Sequence, residues 1–379
     1  MSTLYDTAPA VGGATPPLRP SYRQDWRAYN LAQTREKEMV ARLLRDLCSA
    51  IESPVQRRGR PRIPLADAVF AACMKVYGGA SGRRSMTDMR EFEAQGLIDQ
   101  APHYNRIFEH LEDSALTSIL QAMIEESARP LRAVESEFAV DSSGFSNSVY
   151  KRWFDAKYGR ERSMGGYVKA HVMVGVTTNV VASVEVTPAS ISDYEMFAPL
   201  VRSTAARFDI ARISADKAYS GRSNLSVVDS IGSVPFIPFR SNARATEPSL
   251  WKRMYDYFHD NQEEFYGHYH KRSNVETAFH MIKAKFGAFV RSKSPVAQVN
   301  EVLCKVLCHN LCCLVGAFYE FGIAAEFWRD GSQTLKQERP AAWVRNLPPR
   351  TPWPYGGKKA RIASAKRKPA ETAVPSGGL

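Results

Sequence analysis

The spacing of apolar residues changes period at about residue 136. Before it the period is helical. "DWRAYNLAQTREKEMVARLLRDLCSAI" carries Met39, Leu43, Leu44 and Leu47 at helical spacing. "PLADAVFAACMKVYGG" predicts a second helix stopping at Gly78 and Gly79, "SMTDMREFEAQG" a third ended by Gly96, and residues 104 to about 134 one or two more. From residue 137 the segments "EFAVDSSG", "KAHVMVGVTT", "VVASVEVTPA", "ARISADKAY" and "SVPFIPFR" are β-branched, apolar and strand-length. Helices are predicted between them at 193–207 and 220–231. A polar and aromatic stretch over 241–265 then precedes a helix over 267–287, and a last apolar helix covers about 296–320. A short hairpin followed by parallel crossovers implies an α/β chain with a mixed sheet flanked by helices, behind an N-terminal all-α region. Within that region the turn "YGGASGRRS" suits a helix-turn-helix or a small helical bundle equally well.

Charge adds a partner class. Lys and Arg number 51 against 39 Asp and Glu, a net charge of +12 in 379 residues, so an acidic polymer is the default partner. Arg350, Lys358, Lys359, Arg361, Lys366, Arg367 and Lys368 face only Glu371 in a Pro/Gly/Ala/Ser-rich end that cannot build a core, so 340–379 reads as a disordered basic tail. "RRGRPR" over 57–62 is a second basic cluster. Its Arg-Gly-Arg-Pro resembles a minor-groove hook in which Arg58 and Arg60 would lie along A·T-rich DNA, against the alternative of a basic turn before a helix starting at Pro64. Six cysteines in this length fit a reducing compartment. Cys304, Cys308 and Cys312 fall on one stripe of the last helix and read as buried small hydrophobes. Lys305, His309 and Asn310 interrupt that same apolar run, so no membrane span is expected, and no secretory signal is visible at the start. A cytoplasmic, nucleoid-associated protein fits.

The 267–287 helix carries unusual chemistry. Tyr269, Arg272, Glu276 and Lys283 project within an arc of roughly 60° at about 100° per residue. Val275, Ala278, Ile282, Phe286 and Phe289 form a separate apolar stripe suited to a core. Glu276 also closes Ser273-x-x-Glu276, a capping-box pattern, and would then be a helix-start residue. Two further acids stand at predicted strand ends, Asp141 in "FAVDSSG" and Asp216 in "RISADKAY". Either alone could begin a turn. If the first and fourth strands are neighbours, both acids face one spot at the edge where α/β sheets gather ligands. With Glu276 they would make three carboxylates, a repulsion best relieved by hard divalent cations.

The Tyr269-x2-Arg272-x3-Glu276-x6-Lys283 pattern resembles the signature helix of bacterial insertion-sequence transposases of the DDE type. Asp141 in "DSSG" and Asp216 in "ADKAY" look like that family's first and second acids. The resemblance covers about 65–320. It implies an RNase H-like catalytic domain over 137–325 with a short insertion at 241–265, after a flexible lead at 1–23 and a helical DNA-binding domain at 24–135. It implies two Mg²⁺ or Mn²⁺ ions held by Asp141, Asp216 and Glu276, with Tyr269, Arg272 and Lys283 holding phosphates. The implied reaction is hydrolysis at the element's end, then attack of the released 3′-OH on target DNA. The implied partners are double-stranded DNA, as terminal inverted repeats and target, and a second copy of the chain in a synaptic homodimer. An inactive DNA-binding relic or repressor, or a nuclease of the same fold, are the other readings.

Overall fold

The computed structural model describes residues 25–55, 59, 62–147, 166–245 and 249–328. Arg58, Arg60, the lead over 1–23 and the basic tail therefore lie outside the described residues. Five helices come first: α1 (Trp26–Cys48), α2 (Leu65–Tyr77), α3 (Met86–Ala94), α4 (Tyr104–Leu111) and α5 (Ala115–Ala128). The Asp25 carboxylate starts α1 by accepting the Arg27 and Ala28 N–H groups, both at 3.0 Å.

The sheet follows as β1 (Glu137–Ser146), β2 (Tyr167–Gly175), β3 (Val181–Pro188), β4 (Arg212–Ala215) and β5 (Val234–Phe236), in the order β3-β2-β1-β4-β5. β1 and β3 flank β2 antiparallel, and β4 and β5 continue parallel to β1. This is the mixed sheet expected from the strand order. The crossovers are α6 (Asp193–Ala205), between β3 and β4, and α7 (Arg222–Ser230), between β4 and β5. Two differences from the sequence reading bear on the site. Asp141 does not end the first strand: β1 pairs with β4 only over Glu137–Val140 but continues against β2 to Ser146. The polar run Ser142-Ser143-Gly144 looks like a turn, yet a hairpin ladder needs only backbone groups. The stretch read as an insertion is also largely helical, with α8 (Leu250–Asp260) and α9 (Gln262–Tyr269) wrapped on Phe236, Phe239 and Phe265.

α10 (Ser273–Phe286) and α11 (Pro295–Phe321) complete the fold. α11 is apolar enough by length to cross a membrane, with a window mean hydropathy of 1.7, but 72% of that window is buried inside the molecule. It packs against α1, α2 and α5 and also touches the sheet, so one continuous core runs from Ala32 in α1 to Ala317 in α11. Polar groups fasten the joins. Asn300 receives the Thr117 hydroxyl at 2.7 Å and donates to the Leu111 and Asp113 carbonyls, both at 3.0 Å. Asn310, fully buried, donates to the Val181 carbonyl at 2.7 Å and accepts its N–H at 2.9 Å. Cys304 and Cys308 are buried in this core, with the Cys304 sulfur 3.8 Å from that of Cys73.

Candidate active site

The parallel register of β1 and β4 decides where the first two acids meet. Val140 is opposite Ala215, so the next residue on each strand is an aspartate, Asp141 and Asp216. Asp216 is extended and leads into a single tight turn, Lys217–Tyr219, in which the Tyr219 N–H donates to the Asp216 carbonyl at 2.9 Å. The split between β1, which continues, and β4, which stops, opens the sheet at this point. The Asp216 carboxylate makes no hydrogen bond or ion pair among the described residues.

The third acid arrives on a broken helix. The stretch 267–287 is not one helix: α9 ends at Tyr269, a 3-10 turn covers His270–Arg272, and α10 begins at Ser273. The backbone stays right-handed throughout, with Tyr269 at φ −59°, ψ −39° and Arg272 at φ −53°, ψ −30°. Side chains three to four apart therefore remain neighbours across the tightened turn. The capping box is not made. Ser273 makes no capping bond, and Glu276 turns to Arg272 instead. The turn is pinned to β1 through Lys271, whose ammonium meets Glu137 at 2.5 Å, while Arg212 of β4 meets the same carboxylate at 2.6 Å. These two cations hold the Glu137 carboxyl below its ordinary range despite the opposing effect of burial, the largest single influence.

Arg272 is the centre of the arrangement. One guanidinium arm donates to Asp141 at 2.6 Å and the other to Glu276 at 2.5 Å. Burial pushes the Asp141 carboxyl above its usual pKa. The Ser142 N–H, 2.8 Å away, and Arg272 pull it down, and Asp216 and Glu276 push it up again. Tyr269 is half-buried, and burial raises its phenol, with Arg272 opposing and Asp216 adding to that shift. Tyr269, Arg272, Glu276, Asp141 and Asp216 thus share one neighbourhood. Lys283 stands apart, farther along β1. Its ammonium donates to Ser143 at 2.6 Å and lies 5.3 Å from the centre of the Phe145 ring, and burial lowers its pKa. His280, on the same helix, is exposed.

Alternation along β1 sorts the surroundings. Asp141, Ser143 and Phe145 face α10, whereas Ser142 faces α6 and donates to Asp193 at 2.8 Å. Asp193 also receives the Lys169 ammonium at 2.9 Å and lies 3.4 Å from the His171 ring. Sequence reading overlooked Ser142, Ser143, Lys169, Asp193 and Tyr219. The available signals were period-two alternation from Asp141, which selects Ser143, and the place of Tyr219 three residues after Asp216. At its far end α10 is moored to the N-terminal helices. Lys285 pairs with Glu36 of α1, and the Tyr77 hydroxyl of α2 donates to the same carboxylate at 2.5 Å.

Residues 132–311 match the family described as the transposase DDE domain. The chain carries a transposase DDE domain. Transposases of this family use divalent metal ions. Among solved structures, the cryo-EM structure of a piggyBac transposase synaptic complex with hairpin DNA aligns over 96% of this chain and 88% of that one, at 12% identity and a TM-score of 0.36, a likeness too weak to bear on fold or function. No curated protein sequence matches the chain.

The donor chemistry of this transposase suits a hard cation. Asp141, Asp216 and Glu276 offer only carboxylate oxygens, and the mutual push on Asp141 is the repulsion that a divalent ion relieves. As placed, Arg272 supplies the opposing charge, and no group of three or more His, Cys, Asp or Glu side chains among the described residues is gathered closely enough to hold a metal ion. The cysteines of α11 form no such group either. Burial pushes the Cys308 thiol well above its usual range and so keeps it protonated.

Proposed function

We propose that this transposase binds the ends of a mobile element and catalyses metal-dependent strand cleavage and strand transfer into target DNA. The observation that carries the reading is the juxtaposition of Asp141 and Asp216 on adjacent parallel strands, with Arg272 joining Asp141 to Glu276. Asp141, Asp216 and Glu276 would hold the ions, two Mg²⁺ or Mn²⁺. Such a pair, when bound, stabilises the charge on attacking and leaving oxygens of a phosphodiester. Arg272 then releases the carboxylates and turns its planar fork to phosphate oxygens, and Tyr269 donates its phenolic hydrogen beside it. Lys283 adds positive charge on the same side of β1. Residues 24–135, with Arg58 and Arg60, recognise the element's ends, residues 137–325 perform the chemistry, and the basic tail over 340–379 adds affinity without sequence preference. A homodimer would bring two ends together.

The test is incubation of the full chain with a labelled element-end duplex and Mg²⁺ or Mn²⁺. Cutting with joining supports the proposal. Cutting alone makes the chain a nuclease, and binding alone an inactive DNA-binding protein.

Arg272→Lys probes the fork separately. Lysine keeps the charge but places it at one point, so it cannot meet Asp141 and Glu276 with two arms or grip a phosphate bidentately. Cleavage should fall on the order of tenfold, as for other residues that orient metal ligands. Wild-type rates in this variant would make Arg272 an ordinary surface arginine.

A further inference from the structure

Tyr219 is 1% exposed, and its hydroxyl makes no hydrogen bond. Such a group is rare in a folded interior and calls for an explanation. The ring is fixed: it packs against Phe197 of α6 with centroids 5.7 Å apart, and Asn224 donates to the Tyr219 carbonyl at 3.0 Å. The residue belongs to the same tight turn as Asp216. Burial, then Asp193, Asp141 and Asp216, raise the phenol far above its usual pKa, so the group stays protonated and has a hydrogen to donate.

The acceptor can be identified by elimination. Asp193 already takes hydrogens from Ser142 and Lys169. The Ser142 oxygen gives its own hydrogen to Asp193 and keeps lone pairs, and it lies beside the Tyr219 hydroxyl. Ser142 is also the residue whose backbone N–H holds Asp141 at 2.8 Å. We propose that Tyr219 is a positioning residue for the acid cluster, its hydroxyl bonding to Ser142 and thereby fixing the peptide that orients Asp141. The bond closes when the cluster contracts around its cations, which is why the hydroxyl stands ready without a partner. This inference rests on the metal-site reading above.

The test compares full-length wild type, Tyr219→Phe, Ser142→Ala, the double variant and Asp141→Ala, by Mn²⁺ binding from the loss of free-ion EPR signal and by melting of the metal-free protein. Tyr219→Phe should weaken Mn²⁺ about tenfold, as loss of an outer-shell hydrogen bond does, without lowering the metal-free melting temperature. The double variant should bind no more weakly than Ser142→Ala, because both changes break one path. Unchanged Mn²⁺ affinity in Tyr219→Phe overturns the proposal. So does a lowered metal-free melting temperature, since the hydroxyl would then serve the fold alone, and so does additivity in the double variant. Asp141→Ala separates the two levels: if it too leaves Mn²⁺ binding intact, the metal-site reading has failed rather than the role of Tyr219.

Discussion

Asp141→Ala, Asp216→Ala and Glu276→Ala are each expected to abolish strand cleavage while leaving duplex binding measurable. Metal-borne charge stabilisation is worth several kcal/mol, and each 1.36 kcal/mol is tenfold in rate, so the loss should be about three orders of magnitude. Ligands of one site act as a unit, and a double variant should be scarcely worse than a single one. Glu276→Gln is the sharpest member of the series. Glu276 is exposed and makes no capping-box contact, its carboxylate being turned to Arg272. Gln would serve a cap as well as Glu does, and its removal of one surface charge should leave the melting temperature unchanged. A large loss of cleavage in a folded Glu276→Gln protein identifies a ligand. A rate equal to wild type would return this helix to a structural role.

Asn310→Ala should be the most destabilising change for its size, by roughly 2–4 kcal/mol, since each buried group left unsatisfied costs about 1–3 kcal/mol. Asn310 closes both backbone groups of Val181 at the start of β3, and its amide also reaches the Ser127 hydroxyl at 2.9 Å. Alanine leaves the buried Val181 N–H and carbonyl without partners. Denaturant unfolding should show a lower midpoint at constant slope. Arg42→Ala is the control. It breaks an exposed pair with Glu38 at 2.7 Å and should cost under about 1 kcal/mol. If the two variants unfold together, Asn310 does not fasten α11 to the sheet.

The strands were legible because their β-branched runs are buried on both faces, and strand order then placed Asp141 and Asp216 side by side. The continuation of β1 past Asp141 was not legible. Ser142, Ser143 and Gly144 carry turn-like side chains, while the ladder to β2 that keeps them extended uses only backbone groups. The division of the 267–287 stretch was likewise hidden. Every residue there tolerates a helix, and the tightening at His270–Arg272 coincides with Lys271 and Arg272 reaching β1, contacts made across more than a hundred residues of sequence. Helical periodicity put Lys283 on one line with Arg272 and Glu276, but a straight line on a helical wheel is not a point in space. The helix lies along β1, so its two ends meet different residues of the strand.

The mooring of Lys285 to Glu36 and Tyr77 has a mechanical consequence. At 1.5 Å per residue, Glu276 stands about 13 Å from that anchor, so a tilt of about 5° about it would swing the carboxylate by roughly 1 Å. A misplacement of that size can alter a reaction rate about a hundredfold. α10 is thus a lever whose pivot belongs to the N-terminal helices, and a load on α1 or α2 would be read at the far end as a change in where Glu276 sits.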